Sequence, residues 1–120
     1  MATTELTEAN FSDVVDDNEI VLVDFWAAWC GPCRAFGPVF ERASERHPDI
    51  TFGKVDTDAE IALAQAHDIR SIPTLMIIRD GVIVYARPGA LPEQSLEELI
   101  QKTRDLDMQQ VHDEVAKQAS

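Results

Sequence analysis

Trp29-Cys30-Gly31-Pro32-Cys33 contains both cysteines of a chain of 120 residues, and the residues on either side of it decide the fold. An apolar run from Ile20 to Val23 continues through Asp24-Phe25-Trp26, and a helical pattern begins just past Cys30. The order is therefore strand, short loop, helix N-terminus. Pro32 suits the first turn of that helix, because it has no N–H to leave orphaned and its φ is already helical. Cys30 then stands where backbone N–H groups and the positive end of the helix dipole converge, and both favour a thiolate over a thiol. The spacing predicts Cys30 as a nucleophile. Cys33, one turn further in and less exposed, is predicted to attack a mixed disulfide formed on Cys30 and resolve it.

Two other uses of a close cysteine pair compete with this one. A stapling disulfide stabilises by closing a loop, and a loop this short yields only roughly 2 kcal/mol, against about 3 for a fifteen-residue loop. A closed zinc site needs about four ligands. No second Cys-x-x-Cys or His-x-x-x-His exists to complete one, and His47, His67 and His112 are scattered. No metal is expected, and Cys-x-x-Cys beside a βαβ pattern points to redox chemistry.

Outward from this centre the chain reads as βαβαβαββα. Thr3 to Leu6 forms a short edge strand, and Thr7 N-caps a helix from Glu8 to about Val15. The strand Glu19 to Trp26 is apolar on both faces, as for a central strand covered on each side. The helix from Gly31 to about His47 buries Phe36, Phe40 and Ala43, and Pro38 inside it removes the bond to the Arg34 carbonyl, predicting a kink. Ile50 to Asp56 is the next parallel strand. Thr57-x-x-Glu60 reads as a capping box for a helix through Ala66, with Ile61, Leu63 and Ala64 inward. Asp80-Gly81, between Leu75–Arg79 and Val82–Val84, is a two-residue hairpin turn, so the last two strands are antiparallel. Pro92 opens a final helix as its N1 residue, with Leu96, Leu99 and Ile100 buried. βαβ units first and a hairpin plus helix last give a three-layer α/β domain with a central mixed β-sheet flanked by helices. Residues 1–104 form this domain. Residues 105–120 are an acidic C-terminal extension, read as a helix continuation, a docking segment or a partly disordered tail.

Asp24 and Lys54 break the pattern of their strands. Asp24 shares a face with Ile20, Leu22 and Trp26, where burial raises a carboxyl pKa unless backbone donors satisfy it. Lys54 alternates with Ile50 and Phe52, and its stem can snorkel.

The formal charge of −12 argues against nucleic acid and anionic membranes, since counterion-release binding needs clustered Lys and Arg. No stretch approaches the ~20 apolar residues of a membrane span. The N-terminal residues show no basic segment followed by an apolar one. A cytoplasmic location, where thiols are kept reduced, is expected.

The chain resembles the thioredoxins in Val23-Asp24-Phe25-Trp26-Ala27-Ala28-Trp29-Cys30-Gly31-Pro32-Cys33, Lys54-Val55-Asp56, Ile69-Arg70-Ser71-Ile72-Pro73-Thr74, and Asp80-Gly81 with Gly89-Ala90. The likeness runs from about Leu6 to about Thr103. It implies the thioredoxin fold and protein-disulfide reduction by dithiol–disulfide exchange through a reversible Cys30–Cys33 disulfide. It also implies that Asp24 accepts the proton of Cys33, with Lys54 favouring the ionised carboxylate. Nothing local marks Ile72-Pro73 as cis, but the resemblance does. It sets Ile72 and Pro73 as one wall of a substrate groove with Trp29, Gly31, Pro32, Gly89 and Ala90. Pro88 departs from the family, which usually has a donor-bearing residue before that glycine. No bound cofactor is implied; electrons come from NADPH through a thioredoxin reductase. The implied clients are disulfide-containing proteins such as peroxiredoxins, methionine sulfoxide reductases or ribonucleotide reductase, met by a monomer. Gly-Pro between the cysteines resembles reducing members more than oxidases or isomerases. A thiol oxidase or isomerase, and a binding module acting through the acidic tail, are the rival readings.

Overall fold

The computed structural model describes residues 2–119. Its elements are β1 (Thr3–Glu5), α1 (Phe11–Asp17), β2 (Ile20–Trp26), α2 (Gly31–Arg46), β3 (Thr51–Asp56), α3 (Ile61–Ala66), β4 (Thr74–Arg79), β5 (Val82–Pro88), α4 (Glu93–Arg104) and α5 (Met108–Ala119). The sheet has five strands in the order β1-β3-β2-β4-β5. β1, β3 and β2 are parallel, β4 runs antiparallel to β2, and β5 antiparallel to β4. The hairpin forms as its sequence predicts, with Asp80 at φ 50° and Gly81 at φ 78°.

β2 lies at the middle of the sheet and is buried along almost its whole length. Its alternate side chains serve two separate cores. Ile20 and Leu22 pack with Phe36, Phe40, Phe52, Leu75, Ile77, Leu96 and Ile100 under α2 and α4. Val21, Val23 and Phe25 pack with Phe11, Val55, Leu63, Met76 and Ile78 under α1 and α3. Asp24, in step with Ile20 and Leu22, is thereby committed to the α2 face.

Three helix starts differ from expectation. α1 begins at Phe11 because Asn10 closes the preceding turn: its Oδ1 accepts the Thr7 N–H at 2.7 Å and its Nδ2 donates to Glu5 O at 3.0 Å. Thr7 contributes its carbonyl, which accepts from Phe11 N at 3.0 Å. The Thr57-x-x-Glu60 box does not form. Asp56 Oδ1 accepts the Asp58 N–H at 3.0 Å, Thr57 Oγ1 donates to Trp26 O at 3.1 Å, and Glu60 Oε1 accepts from Glu8 N at 2.8 Å. α3 then starts at Ile61, which is 59% exposed rather than inward. Pro92 is the N-cap of α4, one position before the expected N1.

α4 ends at Arg104, and α5 starts separately after Asp107, whose Oδ1 accepts the Gln109 N–H at 3.1 Å. Arg79 fastens this junction: its Nη1 donates to Thr103 O at 2.7 Å, Arg104 O at 3.2 Å and Leu106 O at 3.1 Å. α5 has no buried residue. A groove of about 480 Å³ separates it from the outer strand, lined by Val82, Val84, Val111 and Val115 among others.

Candidate functional site

The strand-loop-helix unit places Cys30 as the N-cap of α2, with φ −86° and ψ 115° and Pro32 in the first turn. Its Sγ accepts the Cys33 N–H at 3.2 Å, and its own N–H donates to Ala27 O at 3.2 Å. The sulfur thus occupies the position a serine or aspartate oxygen takes at other helix starts, where an anion is favoured. Cys30 and Cys33 are joined in a disulfide with Cα atoms 5.2 Å apart. Both are 4% exposed, so Cys33 is not the less accessible of the two in this oxidised form. The reason is tertiary: Ala27, Trp26 and Ile72 pack around the pair, and Ile72 O lies 3.7 Å from Cys30 Sγ.

Ile72-Pro73 is cis. Pro73 is buried and Ile72 half-buried, and Gly89 N donates to Pro73 O at 2.8 Å. Thr74 pairs with Pro88. Pro88 has no N–H to give, so the main-chain donor closing this corner is Gly89, held at φ 115° where a side chain would be strained. Trp29, Gly31, Pro32, Gly89 and Ala90 are exposed, with Trp29 at 68%. The Trp29 indole N–H donates to Asp58 Oδ2 at 3.0 Å. No sequence pattern links positions 29 and 58, so Asp58 was invisible before the fold was known.

Asp24 is fully buried, and neither of its carboxylate oxygens has a hydrogen-bond partner among the described residues. The backbone-satisfied alternative is therefore not what forms. Desolvation pushes its carboxyl up from 3.8 to about 7, and the Lys54 charge opposes that rise. Lys54 is its register partner on β3, and Leu75 its partner on β4. The Lys54 Nζ also stands 4.9 Å above the Trp26 ring. A carboxyl poised near neutrality beneath the face that α2 covers can take up or release a proton at physiological pH.

Two sulfurs that close into a ring at a helix start can accept or give up an electron pair, and the exposed backbone around them suits a protein partner. This is the site of a protein thiol–disulfide oxidoreductase. The family model for thioredoxin matches residues 2–102. The putative thioredoxin 2 of Streptomyces coelicolor is 59% identical over 117 residues, 98% of this chain and 87% of the relative. Among solved structures, a mutant thioredoxin from Halobacterium salinarum NRC-1 superposes with a TM-score of 0.81 at 37% identity, covering 87% of this chain and 92% of that one. A chain from a study of the thiol resolving mechanism in yeast mitochondrial 1-Cys peroxiredoxin via glutathione/thioredoxin systems gives a TM-score of 0.77 at 28% identity, covering 84% and 95%. The chain belongs to the thioredoxin family, has the thioredoxin fold, and acts in thiol–disulfide exchange as a protein-disulfide reductase. No helix among the described residues is long and apolar enough to cross a membrane.

Proposed function

We propose that Cys30 is the attacking sulfur and Cys33 the resolving one, with Asp24 as the proton acceptor and Lys54 tuning it. The observation that carries this reading is the N-cap position of Cys30, whose sulfur receives the Cys33 N–H at 3.2 Å. In the reduced chain the Cys30 thiolate attacks one sulfur of a client disulfide. A bond forms from Cys30 Sγ to that sulfur, and the other client sulfur leaves as a thiolate. Cys33 then gives its proton to Asp24 and attacks Cys30 Sγ. The mixed disulfide breaks, the client departs with two reduced sulfurs, and its two electrons have come from the Cys30–Cys33 pair. Trp29, Gly31, Pro32, Ile72, Pro73, Gly89 and Ala90 form the surface on which the client segment lies, its backbone pairing beside Ile72.

A flavin-dependent thioredoxin reductase, drawing on NADPH, regenerates the dithiol. Peroxiredoxins, methionine sulfoxide reductases and ribonucleotide reductase are the client classes; the similarity to the chain from the yeast peroxiredoxin study supports the first. The chain works as a cytoplasmic monomer, with residues 1–104 as its redox domain and 105–120 as an appended segment.

Reduction of insulin disulfides, followed with NADPH and candidate reductases, tests the cycle as a whole. Cys33→Ser should accumulate a covalent mixed disulfide with the client, and Cys30→Ser should form none. Trapping through Cys33 in the Cys30→Ser chain would reverse the two roles.

A further inference from the structure

In a chain of net charge −12, two exposed guanidinium groups near the disulfide end have no carboxylate partner among the described residues. Arg34, in the first turn of α2, donates its Nη1–H to Ala28 O at 2.9 Å, and its Nη2 lies 3.9 Å from where a Cβ on Gly31 would stand. The exposed guanidinium is thereby laid across the loop that holds Cys30. Arg70 and Arg87 line a cleft of about 180 Å³ with Asp68, Ser71, Thr74 and Pro88, residues adjoining Ile72-Pro73 and Gly89 in the chain. Asp68 is offset by Arg70, whose Nε donates to its Oδ1 at 3.0 Å, whereas Asp58, which accepts from the neutral Trp29 indole, keeps its negative charge. Every other arginine also has a carboxylate. Arg42 and Arg46 pair with Glu93, Arg79 with Glu19, and Arg104 with Asp49. Among the described residues, the arginines left without a carboxylate are Arg34, one turn past Cys30, and Arg87, on the strand that pairs with the residues following Ile72-Pro73.

We propose that Arg34 and Arg87 select clients whose attacked cysteine is bordered by Asp or Glu. This rests on the reading of Cys30 as the attacking sulfur and adds to it the chemistry of the client segment. The distant acids of the chain are screened beyond roughly 10 Å at ordinary salt, so a client carboxylate seated against an unpaired guanidinium meets that group's charge first. Arg34 keeps Nε–H and Nη2–H free of the Ala28 bond, and a guanidinium can offer a carboxylate two parallel donors.

The test uses the reduced full-length chain and three peptides, each closed by one disulfide and differing only in whether Glu, Gln or Lys borders the cysteines. The expected order of kcat/KM is Glu, then Gln, then Lys. Exposed charge pairs of this kind give a Glu-to-Gln ratio of about threefold at low salt, shrinking toward unity at high salt. In R34Q/R87Q the ratio falls to about one, and in R34K/R87K most of it returns. A ratio at or below one in the unaltered chain overturns the proposal, and so does a ratio that R34Q/R87Q leaves intact. If all three peptides are reduced at one rate, the role of Cys30 stands and the charge preference falls. If none forms a mixed disulfide with Cys30, the underlying reading fails first.

Discussion

A carboxylate with no hydrogen-bond partner in a protein interior is costly when charged, and Asp24 shows where that cost appears. Its unfolded value is 3.8 and its folded value about 7, so between those limits the folded chain holds a proton that the unfolded chain has lost. Stability therefore falls as pH rises through this window and levels off above about 7. The shift corresponds to about 4 kcal/mol across the whole window. Asp24→Asn removes the titration, so denaturant unfolding of the oxidised variant should show no such slope. The variant should gain on the parent by up to about 4 kcal/mol between pH 4 and pH 8. A gap between the two that does not change with pH would refute the assignment. Lys54→Met removes the charge that opposes desolvation, so the Asp24 carboxyl should titrate higher still, visible in its side-chain carbon shift by NMR. The sequence already singled out both residues, because each places a charge on an apolar row of its strand. It could not say that Asp24 lacks backbone donors, since that depends on neighbours from three strands.

Elements follow the same division between local and distant causes. β2, α2 and the Asp80-Gly81 hairpin were legible because apolar periodicity and turn chemistry are written within a few residues. The Thr57-x-x-Glu60 box failed because each of its partners was claimed from elsewhere, Thr57 by Trp26 and Glu60 by Glu8. The cis peptide at Ile72-Pro73 was legible through family likeness alone. Gly53 carries no such signal either, yet β3 depends on it. A Cβ there would stand 2.6 Å from Leu6 Cγ, and Leu6 is fully buried where the chain leaves β1. Register sets Gly53 between Thr4 on β1 and Val23 on β2, so the strand cannot withdraw without losing pairs on both sides. Gly53→Ala should therefore force Leu6 to shift and cost about 1 to 3 kcal/mol, as overpacked cores do. Urea unfolding measures it. A variant as stable as the parent would mean that Leu6 repacks freely and β1 is only loosely seated.

At the scale of the whole molecule, the packed body and the C-terminal helix are held by different means. α4 contributes Leu96 and Ile100 to the core and is tied to α2 by Arg42–Glu93, Arg46–Glu97 and His47–Glu97. α5 has no fully buried residue, only Met108 and Val111 being half-buried; it is capped by Asp107 and faces the β5 edge across an apolar groove, joined to the body through the Arg79 contact at Leu106. Helix stability in proteins comes mainly from a packed apolar face, and a twelve-residue helix without one is marginal. Leu96 and Ile100 can become exposed only when the core opens, whereas the amides of α5 need only their own helix to fray. Native-state hydrogen exchange should therefore separate the two. The α4 amides around Ile100 should exchange near the global unfolding free energy, and those of residues 111–117 at least a hundredfold faster, with little dependence on denaturant. Equal protection in α4 and α5 would show that the groove is closed in solution and that the appended helix belongs to the same cooperative unit as the redox domain.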